Sequence, residues 1–193
     1  MAELLLDEET QLYCDPETCR VYSRVTREIR ACGFMDDLDY VKERDLLKGR
    51  YLHEACHLFD MGRLDPSSVD PSLRPKFNGY LKAKEELGLV IIESELQVRN
   101  DAYGIAGTLD KIARIRQDDS IWLLDIKGGP PKNWHRIQTA IYDLCLPPGA
   151  APRKRAGLHL MDNDYRLVPH FNRRDFKRAE AVLELATARR EAA

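Results

Sequence analysis

Three short patterns in this chain combine residue types that can do chemistry. The first is His53-Glu54-x-x-His57, inside the stretch Tyr51-Leu52-His53-Glu54-Ala55-Cys56-His57-Leu58. Two histidines four residues apart share one helix face, which is how many metallopeptidases hold zinc, with the intervening glutamate as general base. The second is Asp125-x-Lys127, at the end of the apolar run Ile121-Trp122-Leu123-Leu124. Residues two apart on a strand project from the same face, so an acid and a base close a buried strand together. They can pair with each other, and left unpaired they would be costly. The third is Asp110 in Gly107-Thr108-Leu109-Asp110, on the preceding predicted strand. A second carboxylate brought beside the first repels it unless a cation sits between them. Oxygen ligands suit Mg²⁺ or Mn²⁺, and a neighbouring lysine can position or deprotonate a water. Gln138 and Tyr142, four apart on the next helix, share one face beside its apolar seam.

Elements of regular spacing must carry these residues. Residues 11–22 read as a short hairpin, and Ser23 or Thr26 can cap a helix that ends at Gly33. A longer helix is predicted over about 40–61, stopped by Gly62, with a core stripe of Leu47, Tyr51, Ala55 and Phe59 widened by Leu52 and Cys56. Another helix runs over about 76–87 to Gly88. Three consecutive strands follow at 89–98, 103–115 and 120–129, the first turn carried by Asn100-Asp101 and the second by residues 117–119. Pro130-Pro131 ends the third strand, and residues 133–146 form a helix with the seam Trp134, Ile137, Ile141 and Leu144. A hairpin around residues 162–164 precedes a C-terminal helix from about 173, with Phe176, Ala179, Leu183 and Ala186 on one side. This order predicts an α/β fold around one central sheet.

In order and setting, Gly107-x-x-Asp110 on a strand, Asp125-x-Lys127 on the next and Gln138-x-x-x-Tyr142 on a helix resemble the PD-(D/E)XK nuclease superfamily, in its RecB-like and phage-exonuclease branch. Gly49-x-x-x-His53 resembles that branch's early histidine motif, and Glu95 precedes the Gly-Thr-Leu-Asp element as the branch's extra glutamate does. The resemblance spans roughly residues 23–145. It implies a single α/β domain with a restriction-endonuclease-like core: a central mixed β-sheet flanked by helices, with a helical N-terminal part over about 23–88, a catalytic core over about 89–171 and a C-terminal helix over about 173–190. It also implies a Mg²⁺- or Mn²⁺-dependent deoxyribonuclease, an exonuclease of recombination, repair or phage DNA processing. Asp110, Asp125 and Lys127 would be catalytic, the two aspartates binding the metal and the lysine orienting water. The backbone carbonyl of Ile126 would add a ligand, His53 would contribute to the metal site, and Glu95 would support it or help a second ion. Gln138 and Tyr142 would line the site and contact nucleic acid. The implied partner is DNA, with a homo-oligomer or a recombination partner protein left open. Gly-Thr-Leu-Asp stands where the superfamily label has Pro-Asp, and the downstream cysteine triplet of the iron–sulfur relatives is absent, which argues against a cluster.

Under this reading His53 is explained by its spacing from Gly49, and Glu54 and His57 are ordinary helix residues. A zinc peptidase using His53-Glu54-x-x-His57 would need a third ligand, for which Glu85 or Glu86 could be recruited, and would leave the other motifs unexplained. A noncatalytic nucleic-acid-binding module on the same fold is the remaining alternative.

Composition sets the bounds. The chain has 193 residues, 44% of them hydrophobic and 32% charged, with a net charge of −2, which fits one globular domain. No apolar run is long enough to span a bilayer, and the N-terminal residues lack the features of a secretory signal, so a cytoplasmic protein is expected. Five cysteines without a CxxC pair argue against a disulfide framework or a zinc ribbon and read as buried or half-buried thiols; the turn between Cys14 and Cys19 carries little weight as a metal site. Arg153-Lys154-Arg155, Arg173-Arg174, Lys177-Arg178 and Arg189-Arg190 concentrate positive charge late in the chain, but such runs are commonly solvated faces and decide nothing alone.

Overall fold

In a computed structural model, described for residues 3–35, 43–116, 118, 120–149 and 153–192, eight strands and five α-helices form one α/β unit. Three short strands open it, β1 (Leu5–Asp7), β2 (Leu12–Cys14) and β3 (Val21–Arg24), followed by helices α1 (Val25–Ala31), α2 (Glu43–Asp60) and α3 (Arg74–Leu87). The meander is β4 (Leu89–Asn100), β5 (Ile105–Ile115) and β6 (Ile121–Lys127). Helix α4 (Asn133–Cys145) then crosses to β7 (Lys154–Met161), which turns into β8 (Asp164–Pro169), and α5 (Arg174–Glu191) ends the fold.

The mixed sheet flanked by helices agrees with the expected fold class. It has the order β1-β2-β3-β5-β6-β7-β8, with β4 paired to β5. The β4–β5 and β5–β6 pairs are antiparallel, while β6 and β7 are parallel, as a crossover through a helix requires. Helices α2 and α3 cover one face through Leu52, Cys56, Phe77, Tyr80 and Ala83 against Leu124, Ile126 and Leu158. Helices α1, α4 and α5 cover the other through Val25, Ile137, Ile141, Val182 and Leu183 against Leu109 and Leu123. Each of the larger aliphatic and phenylalanine side chains contributes about 1.5–3 kcal/mol by leaving water.

Several local expectations are corrected. Ser23 belongs to β3 and Arg24 is the N-cap residue of α1, without a side-chain cap; the Ser23 hydroxyl instead donates to Glu28. The buried stripe of α2 runs through Leu52, Ala55 and Cys56, and Leu47 and Tyr51 are exposed, because the helix is rotated to send a polar stripe toward the sheet. The start of the 40–61 helix, and the 117–119 turn except Asp118, lie outside the described residues. The five cysteines are free thiols; Cys56 is fully buried and Cys14, Cys32 and Cys145 half-buried, but Cys19 is exposed in its turn, against expectation. Most of the late basic residues have partners within the chain: Arg153 with Asp143, Lys154 with Asp118, Arg178 with Asp175 and Arg189 with Glu28, while Arg155 lies buried over the Phe176 ring.

Candidate active site

The site lies where β5 loses its neighbour. Strand β4 follows one edge of β5 from Ile105 to Ile115. On the other edge β3 pairs with Ile105 and Ala106, and β6 pairs with residues from Lys111 to Arg114, so Gly107–Asp110 stand in a gap between them. Beyond Leu124, β6 leaves β5 and continues only along β7, with Asp125, Ile126 and Lys127 opposite Gly157, Leu158 and His159. The amide of Ile126 is satisfied across the gap by the carboxylate of Asp110, at 2.5 Å. A side chain replaces a ladder carbonyl, so both motif strands are held open and still joined.

Three elements send donors to this gap. His53 of α2 places Nδ1 3.3 Å from Asp110 Oδ1 and 4.0 Å from Glu95 Oε1. One donor atom each from His53, Glu95 and Asp110 lies within 4.8 Å of the others. Glu95 Oε1 is buried and has no hydrogen-bond partner. Burial resists protonation of the His53 ring, yet Asp110 and Glu95 outweigh it and hold its pKa above the ordinary value. Burial and the Asp110 charge raise the Glu95 carboxyl. The same burial opposes ionisation of Asp110, but His53, Lys127 and the Ile126 amide keep its pKa below the usual range. Two carboxylates, one of them with an unpartnered oxygen, and one imidazole form a ligand set with a deficit of positive charge, which fits a divalent cation.

Glu95 reaches the site through unusual backbone. Its φ is 54°, in the left-handed region, inside a twelve-residue strand. For a residue other than glycine this costs about 1–3 kcal/mol and is found where surrounding structure enforces it. The consequence is a break in side-chain alternation: Ser94 meets His57 and Glu95 faces His53, so consecutive strand residues touch successive turns of the same helix.

Asp125 and Lys127 occupy the other side of the gap, on the α4 face. The Lys127 ammonium lies 2.8 Å from both carboxylate oxygens of Asp125 and 5.3 Å from the centre of the Trp134 ring. Burial and Asp110 raise the Asp125 carboxyl despite Lys127. Asp125 is outside the convergent set of three, and Ile126 faces Asp110 with its N–H. Gln138 donates to Tyr142 Oη at 3.1 Å; at 5% and 4% exposure these two side chains back the site rather than line its open side. A Cβ at Gly107 would stand 2.7 Å from Tyr142 Cε1, which explains why that strand position has no side chain. Partly buried Trp134 packs against the α4-side core, as its place in the seam suggested.

The two histidines of the opening pattern have separate partners. His57 Nδ1 is 2.7 Å from Ser94 Oγ, and burial with the nearby Lys111 charge lowers its pKa. Glu54 is exposed beside the groove formed by Leu47, Tyr51 and Leu58. Sequence reasoning missed a buried ionic group next to the site. Asp60, on the same stripe of α2 as His53 and His57, accepts from Tyr80 Oη at 2.6 Å, Lys84 Nζ at 2.5 Å and Lys111 Nζ at 2.7 Å. Lys111 is fully buried. A lysine directly after the candidate ligand Asp110, on a largely apolar strand, was the available signal.

No family model and no curated protein matches this chain. Among solved structures it is similar to one titled a "putative exonuclease" from Eubacterium rectale, with a TM-score of 0.47 and 15% identity over 84% of this chain and 70% of that one. Among the described residues, no helix is long and apolar enough to cross a membrane.

Proposed function

We propose that this chain is a single-domain, divalent-metal-dependent deoxyribonuclease of the PD-(D/E)XK type, an exonuclease of recombination, repair or phage DNA processing. The observation that carries the reading is the convergence of His53, Glu95 and Asp110 at the gap between β5 and β6, with the Asp125–Lys127 pair across it. His53, Glu95 and Asp110 would hold the cation, with Asp125 and the Ile126 carbonyl completing its protein ligands. A Mg²⁺ or Mn²⁺ ion there would supply the Lewis acidity that lowers the pKa of an attacking water and offsets charge on the phosphate.

Lys127 is held by Asp125 at the open end of β6, where its ammonium can orient the water or meet charge that builds on the phosphate. Gln138 and Tyr142 support this pair from behind, and Tyr142 fills the space that Gly107 leaves. DNA would be held mainly through its phosphates by basic side chains around the gap. The different partners of His53 and His57 disfavour the zinc-peptidase alternative. Incubating end-labelled linear and circular DNA with Mg²⁺, Mn²⁺ or EDTA tests the reading. Metal-dependent shortening of linear DNA alone supports an exonuclease, cutting of circles an endonuclease, and binding without cleavage the noncatalytic module.

A further inference from the structure

The buried ionic group beside the site is arranged around the two strand residues that adjoin the candidate ligands. Ser94 precedes Glu95, Lys111 follows Asp110, and the two face each other in the β4–β5 register. Lys111 Nζ donates to Ser94 Oγ at 2.5 Å and is anchored on Asp60 at 2.7 Å. An ammonium cannot accept a hydrogen bond, so the Ser94 hydroxyl hydrogen is free to go to His57 Nδ1, 2.7 Å away. A directed chain therefore runs from Asp60 and Lys111 through Ser94 to His57, tying both strands to α2 one turn beyond His53.

This chain grips the strand at the residue before its left-handed position. Regular alternation would send Glu95 to the sheet face opposite Ser94. With Ser94 held between Lys111 and His57, and Glu95 at a φ of 54°, both side chains reach α2. We propose that Lys111, Ser94 and His57, anchored on Asp60, form a positioning clamp that holds Glu95 in its left-handed conformation and so assembles the His53–Glu95–Asp110 cation site. The inference rests on the reading of those three residues as cation ligands. It gives His57 a task other than zinc binding and gives buried Lys111 one beyond packing.

Mn²⁺ titration calorimetry on the full chain, with thermal unfolding as a control, tests the clamp without using cleavage. Glu95→Gln should weaken Mn²⁺ binding, and Ser94→Ala should weaken it about tenfold, as outer-shell substitutions at metal sites commonly do. Ser94→Thr, which keeps the hydroxyl, should restore most of the affinity. The Ser94→Ala/Glu95→Gln double variant should bind no more weakly than Glu95→Gln alone, because a clamp that acts through Glu95 has nothing left to position. His57→Ala, which removes the chain's last acceptor, should show a smaller loss and serves if Ser94→Ala is unstable. Wild-type affinity in Ser94→Ala and His57→Ala, or a Ser94→Ala loss that adds in full to that of Glu95→Gln, overturns the clamp and leaves the cation site standing. Absence of Mn²⁺ binding by the wild type, or unchanged affinity in Glu95→Gln, overturns the cation reading and the clamp with it.

Discussion

Asp125 and Lys127 stand two residues apart on one strand and neutralise each other, whereas His53, Glu95 and Asp110 come from three elements and bring two carboxylates to one imidazole. The first half balances its charge within one strand, although burial raises the Asp125 carboxyl and its Oδ2 accepts no hydrogen bond. The second leaves a buried glutamate oxygen without a partner and raises the Glu95 carboxyl. Under the proposed function the difference separates the side that would hold a cation, marked by a charge deficit, from the side that would handle a proton or a water, marked by a lysine already held in place.

The largest expected effect comes from removing the lysine. Lys127→Ala should lower DNA cleavage by about a thousandfold, the scale of a lost acid–base or charge-stabilising group, while gel-shift affinity stays near wild type and the melting temperature falls because buried Asp125 loses its partner. Wild-type turnover would remove Lys127 from the chemical step. Next, Asp110→Asn should weaken Mn²⁺ binding by about a hundredfold, and Asp125→Asn by a smaller factor of about ten, because amides are poorer ligands for hard cations and Asp125 stands outside the convergent set. Equal losses in calorimetry would merge the two halves into one.

The lysine half leans on α4, and Gly107→Ala tests that support by pressing a methyl group on Tyr142. Overpacking of this kind costs about 1–3 kcal/mol, or roughly 2–12 °C in melting temperature for a chain of this size. An unchanged melt would show that the ring yields. The smallest effect belongs to Glu54→Gln. Glu54 is exposed and His57 is engaged with Ser94, so cleavage should stay near wild type and protein purified without added metal should carry no stoichiometric zinc by elemental analysis. One zinc per chain together with loss of activity would restore the peptidase reading.

Much of the fold could be read along the chain because periodicity, turn residues and stop signals are local. The β4–β5–β6 meander, the α4 seam at Ile137 and Ile141, and the end of α3 at Gly88 in left-handed conformation follow that reading closely. It failed where a helix had two plausible apolar faces. On α2, spacing alone favoured Leu47 and Tyr51, but His53, His57 and Asp60 form a polar stripe whose partners lie on strands far along the chain.

The candidate site divides in the same way. Asp125 and Lys127 share a face because of strand geometry, and Gln138 and Tyr142 share one because of helix pitch, so their pairings were legible from spacing. Glu95 beside Asp110 was expected from the family resemblance and not from spacing, because regular alternation does not anticipate a glutamate in left-handed backbone. The Asp60–Lys111 pair was not legible from spacing either, since a buried lysine and a buried aspartate look like surface residues until folding removes water from both and leaves their compensation to partners from other elements. Local chain geometry chose the elements and the pairs within them. The gap between β5 and β6, the rotation of α2 and the meeting of His53, Glu95 and Asp110 arise from contacts between distant segments, where burial and charge are balanced together.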